Sequence, residues 1–153
     1  MQDRFKFRAI LHQDKYEEYG LEKFKNQRIF DVQTINVGCE NSTIVIIADY
    51  PNGDWAIREI NEKDIDLIQC TGLKDKNGKL IYEGDIVRFK DCNDILVVNY
   101  QKEMACFAPQ FYCNGEYGGR LWFDDYDSFE CQFYKSDNFE VIGNIHEDKE
   151  LLQ

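Results

Sequence analysis

The sequence predicts a mainly β protein, an antiparallel small barrel or sandwich with helix confined to short segments. Two observations carry that expectation. Apolar residues recur with a period of two through most of the chain, as in half-buried strands. Asn-Gly pairs at Asn52-Gly53, Asn77-Gly78 and Asn114-Gly115 fall between apolar runs, where glycine supplies the positive φ of a tight hairpin turn.

The elements follow in order. Phe5, Phe7 and Ala9 alternate with Arg4, Lys6 and Arg8, a half-buried first strand. Tyr16, Tyr19 and Phe24 fit a short amphipathic helix interrupted by Gly20. Val32, Ile35 and Val37 lie in an extended segment. Ile44-Val45-Ile46-Ile47-Ala48 is β-branched and reads as a strand buried on both faces. It turns at Asn52-Gly53 into Trp55–Ile60, and Asn77-Gly78 joins Leu73 to Leu80-Ile81-Tyr82. Val87 with Phe89, and then Ile95-Leu96-Val97-Val98, add further strands. Asn114-Gly115 connects Phe111-Tyr112 to Leu121-Trp122-Phe123. Near the C-terminus Asn144 resembles a helix cap with Glu147 as its partner, which predicts one short helix burying Leu151 and Leu152. With no Pro- or Ser-rich linker, a seam near Thr71-Gly72 divides residues 1–70 from 71–153 as two β sub-domains, the second barrel-like.

Composition excludes several function classes. A net charge of -11 opposes broad nucleic-acid binding, which needs a basic footprint. No apolar run approaches the roughly 20 residues that cross a bilayer, and the opening MQDRFKFRAI has no signal-peptide core. The six cysteines, Cys39, Cys70, Cys92, Cys106, Cys113 and Cys131, include no Cys-x-x-Cys pair. Reduced thiols in a cytoplasmic protein fit that spacing better than disulfides or zinc.

One stretch is distinctive: Gln69-Cys70-Thr71-Gly72-Leu73-Lys74-Asp75-Lys76-Asn77-Gly78-Lys79-Leu80-Ile81-Tyr82-Glu83-Gly84-Asp85-Ile86-Val87. It resembles the Q-x-T-G-L-x-D-x-N-G-x-x-I-Y-E-G-D-I-V signature of the YopX family of phage and prophage proteins. Lys6-Phe7-Arg8-Ala9 is similar to the family's opening K-F-R-A strand, and Val141-Ile142-Gly143-Asn144-Ile145 to its V-I-G-N-I tail. Ile10 departs from the usual Trp, Cys70 from an aromatic, and His146-Glu147-Asp148-Lys149 from Tyr-Glu-Asn-Pro. The resemblance implies a β-rich fold, a phage or prophage origin and an uncharacterised function, and supplies no active site. Physically, the motif reads as topology: Gly84 permits a special backbone angle, and Asp85 can bind nearby amides.

Candidate chemistry is sparse. Asp124, Asp125, Asp127 and Glu130 could offer oxygens to a hard cation, but the sixth position counted from Asp125 is Glu130 where a calcium loop needs Gly. An exposed acidic loop is the better reading, and no cofactor or metal is expected. His12 and His146 have no visible catalytic partner, and no phosphate loop or nucleophile motif is present. Arg4, Lys6 and Arg8 form the one clustered basic stripe, and the expectation is that neighbouring acids neutralise it.

Tyr112, Tyr117, Trp122, Phe123 and Tyr126, interleaved with Asp124, Asp125 and Asp127, form a candidate partner-binding surface. Acids among aromatics suit a protein partner better than phosphates. The expectation is therefore a non-enzymatic, protein-binding and oligomerising β module. The alternative is an acidic mimic of nucleic acid that inhibits a host nucleic-acid-binding protein.

Overall fold

A computed structural model describes residues 6–38, 41–49, 53, 55–89, 95–102, 105–113, 116–118 and 138–152. They form eleven strands: β1 Phe7–Leu11, β2 Ile29–Asn36, β3 Thr43–Asp49, β4 Trp55–Asn61, β5 Ile65–Lys74, β6 Leu80–Tyr82, β7 Asp85–Phe89, β8 Ile95–Gln101, β9 Cys106–Cys113, β10 Glu116–Gly118 and β11 Phe139–Asn144. All pairings are antiparallel. The helical turns among the described residues are short 3-10 segments, so the mainly β expectation holds.

The chain forms two compact units, Lys6–Gln69 and one that begins at Cys70. In the first unit the strand order is β4-β3-β2-β1-β5. One sheet face packs Ala9, Leu11, Phe30, Ile44, Ile46, Ala48, Ile60 and Ile65 against Tyr16, Leu21 and Phe24 of the covering segment. That segment makes turns and a 3-10 helix at Glu22–Phe24 instead of an amphipathic helix. Gly20 breaks it at φ +66°, a left-handed angle that no α-helix accommodates. In β2, a bulge between Val32 and Thr34 shifts the register. An extra residue there lets Val32 and Ile35, three apart, both pack against the same core.

The β-branched run of β3 is not buried on both faces. Ile44, Ile46 and Ala48 are buried, whereas Val45 and Ile47 are half-buried on the opposite face. On that face Trp55 and Ile57 of β4 are exposed.

In the second unit the five-stranded order is β10-β9-β8-β7-β11, an open sheet and not a closed barrel. Its core gathers Ile81, Val87, Phe89, Leu96, Val98, Phe139 and Val141. Pro109 sits on β9 opposite Val98, whose carbonyl turns to the Gly84 amide and away from β9, so the missing N–H costs no bond to β8. The continuation of β5 beyond Gln69 pairs with β6 through Cys70↔Tyr82 and Lys74↔Leu80.

The expected hairpin at Asn77-Gly78 is present with a different turn. Gly78 alone has positive φ, +80°, and the Gly78 amide donates to the Asp75 carbonyl at 2.9 Å. The Asp75 amide donates in turn to the Lys79 carbonyl at 2.8 Å. That is a type I turn closed by a glycine bulge, with Asn77 in an ordinary angle, and not a primed turn. β3 and β4 form the hairpin expected around Gly53, which has φ +86°. β9 and β10 pair as far as Cys113↔Glu116; Asn114-Gly115 and the expected strand at Leu121-Trp122-Phe123 lie outside the described residues.

Candidate functional site

The signature residues build a buried scaffold. Asp75 is 3% exposed, and its carboxylate takes three backbone amides. Oδ1 accepts from Asn77 and Lys79 at 2.9 Å each, and Oδ2 accepts from Val141 at 3.0 Å. Burial by itself raises the Asp75 pKa, but the three amides and the Lys79 charge outweigh it and hold the carboxyl below its ordinary value. The Lys76 amide adds a bond to the Phe139 carbonyl at 2.9 Å, and Lys76 Nζ pairs with Glu140 at 2.9 Å. The hairpin turn thus occupies the edge of β11 that β7 leaves open.

Asp85 repeats the arrangement at the next turn. It is 1% exposed, accepts from the Tyr82 amide at 2.8 Å and from Asn144 Nδ2 at 3.0 Å. Gly84, at φ +78°, donates to the Val98 carbonyl at 2.7 Å and accepts from the Ile145 amide at 2.9 Å. Asn144 Oδ1 accepts from the His146 amide at 3.0 Å, while Asp148 Oδ2 receives the Asn144 amide at 2.9 Å. Asn144 thus caps a turn and not the start of a helix as expected, and Asp148, not Glu147, reaches back to it. The segment that follows is a 3-10 turn at Lys149–Leu152 with Leu151 and Leu152 half-buried.

A third buried carboxylate, Asp64, escaped the sequence reading. It is 4% exposed; Tyr19 Oη donates to Oδ2 at 2.8 Å and Lys15 Nζ lies 3.3 Å from Oδ1. The tyrosine hydrogen bond lowers the Asp64 pKa, with burial opposing it and Lys15 assisting. Burial pushes the Tyr19 phenol up, so it stays a donor at neutral pH. Tyr19 Oη also accepts from the Asn61 amide at 3.2 Å. No local spacing announces this cluster, because Tyr19 and Asp64 are 45 residues apart.

Asp75 and Asp85 serve chiefly the backbone, and Asp64 serves the side chains of Tyr19 and Lys15. Their oxygens face amides and side chains of the fold. Among the described residues, no group of three or more His, Cys, Asp or Glu is placed to hold a metal. No helix there is long and apolar enough to cross a membrane.

Of the expected partner-binding residues, Tyr112 and Tyr117 are Cα partners on β9 and β10. Trp122, Phe123, Asp124, Asp125, Tyr126 and Asp127, with Glu130, lie outside the described residues. In the basic stripe, Arg8 Nε pairs with Asp31 on the adjacent strand at 3.3 Å, and Arg4 lies outside the described residues. Cys70 is buried, and its sulfur accepts from the Gly72 amide at 3.4 Å and donates to the Ile81 carbonyl at 3.6 Å.

The surface that sequence reasoning missed is the outer face of β3–β4. Trp55 is 65% and Ile57 41% exposed, and Ile57 lies directly opposite Ile47. The available signal was position: Trp55 and Ile57 alternate on β4, which among the described residues ends its sheet.

A solved structure, a protein designated EF1440 from Enterococcus faecalis, is similar over 97% of each chain at 27% identity, with a TM-score of 0.51. No curated protein matches. Residues 6–153 match the YopX protein family, covering the Asp75 and Asp85 turns and the Asn144 cap alike, and the chain belongs to that family.

Proposed function

We propose that this chain is a prophage-encoded, non-enzymatic module that works in the bacterial cytoplasm by binding another protein. The observation that supports this reading is the outer face of β3–β4. There Trp55 and Ile57 stand exposed beside half-buried Ile47 and Val45 on directly paired strands. Single exposed apolar residues are ordinary, but an adjoining set that includes a tryptophan makes a contact patch. Conserving the buried carboxylates for backbone amides leaves them no substrate-facing oxygen to offer. The nucleic-acid mimic needs a continuous acidic face, whereas here Asp31 faces Arg8, Glu59 faces Thr43, and apolar residues separate them.

Affinity capture from bacterial lysate, with wild type beside a Trp55→Ser/Ile57→Ser double variant, tests the reading. The expected result is a captured protein that the variant loses, with no shift of a DNA probe at physiological salt. Absence of any captured protein together with a shifted DNA probe overturns it.

A further inference from the structure

We infer that the outer face of β3–β4 docks one class of partner. This is a protein segment whose apolar side chains are flanked by lysines or arginines, lying across the face instead of extending the sheet. The inference rests on the protein-binding reading and names the chemistry of the partner.

The register lays the face out in rows. Asp49 opposes Trp55 at one end. Next, Ile57 opposes Ile47, which opposes Asp31 on β2, which opposes Arg8 on β1. In the third row Glu59 opposes Val45, and in the fourth Asn61 opposes Thr43. Residues directly opposite each other on antiparallel strands share a face about 5 Å apart. Trp55, Ile57, Ile47 and Val45 therefore form one apolar centre, bordered by Asp49, Asp31 and Glu59. Those rows contribute one cation, Arg8, and it lies against Asp31 at 3.3 Å. The one cation of β4, Arg58, turns to Tyr19, where its Nε donates to the carbonyl at 2.9 Å.

An apolar centre with an acidic border selects among partners. A second copy would bring Asp49 and Glu59 against the same residues, in a chain of net charge -11. Phosphate backbones meet the same border and are repelled. A segment with Leu-like side chains between Lys or Arg satisfies both the centre and the border.

The outer edge of β4 is already engaged at two points. Asn61 and Ile57 share parity, so their backbone groups point the same way, away from β3. The Asn61 amide already donates to Tyr19 Oη at 3.2 Å, and the Ile57 carbonyl accepts from Arg58 Nη1 at 2.9 Å. An incoming strand would have to displace both, whereas a segment crossing the face displaces neither.

Fluorescence anisotropy with a short labelled peptide of alternating leucine and lysine tests the inference. Binding is expected, weakened by salt. It should weaken about tenfold or more in Trp55→Ser/Ile57→Ser and comparably in Asp49→Lys/Glu59→Lys, since anchors and border act together. Peptides of leucine with glutamate, or serine with lysine, should not bind. Because these side chains are exposed, unchanged circular dichroism and melting temperature certify each variant. No binding, equal binding of the serine–lysine peptide, or binding that ignores the Trp55 and Ile57 changes overturns the inference. So does a dimer by sedimentation that Ile57→Asp dissolves. A captured protein retained by the double variant leaves the module reading standing and removes this one.

Discussion

Asp75 Oδ2 accepts the amide of Val141 at 3.0 Å across 66 residues of sequence. One turn residue of the central motif thereby fixes the strand that carries the C-terminal motif. Asp85 does the same through Asn144 at 3.0 Å. The two sequence signatures are halves of one hydrogen-bonded assembly, in which each buried edge amide needs an acceptor.

Asp75→Asn should lower stability by about 2–4 kcal/mol, because an amide group replaces one carboxylate oxygen and faces a donor where it needs an acceptor. Urea denaturation checks it, and a loss under 0.5 kcal/mol on the order of surface substitutions would refute the assignment.

The pH dependence has a definite sign. Asp75 and Asp64 both titrate below their ordinary range in the folded protein. Their contribution is fully present above the unfolded carboxylate pKa and is lost as pH falls through the folded value. Thermal melts on the acid side should show the Asp75→Asn variant losing less stability than wild type as pH drops. Parallel curves would remove Asp75 from the account.

Glycine substitutions separate strain from crowding. Gly78 and Gly84 both have left-handed φ, but a Cβ on Gly78 meets nothing within 4 Å. On Gly84 it would lie 3.3 Å from Ile145 Cγ1 and 3.5 Å from Asn144 Nδ2. Gly78→Ala should cost about 1–2 kcal/mol from the backbone angle. Gly84→Ala should cost more, since the Ile145 side chain must also give way. Equal losses in chemical denaturation would contradict this.

Tyr19→Phe removes the hydroxyl that bridges Asp64 and the β4 edge amide of Asn61. The expected loss is about 1–3 kcal/mol for the orphaned partners. Light scattering should also show more self-association than in wild type, because an unmasked strand edge invites pairing. A variant as stable and as monodisperse as wild type would show that the edge is held otherwise.

The thiols should titrate as six in denaturant without reductant, the full cysteine content. Cys70, 1% exposed, should react only on unfolding. A count near zero would mean disulfides.

The sequence by itself determined the period-two strands, the hairpins around Gly53 and Gly78, and the special turn at Gly84, because each depends on residues within a few positions of one another. It also showed family membership, through a motif whose local turn chemistry is explicit. Only the tertiary structure decided what Asp75, Asp85 and Asp64 bind, since their partners Val141, Asn144 and Tyr19 are remote in sequence. The same holds for β3. Its unbroken β-branched run looks doubly buried in one dimension, yet whether a second layer covers Val45 and Ile47 depends on where the rest of the chain packs. Among the described residues β4 ends its sheet, and Trp55 and Ile57 stand exposed there.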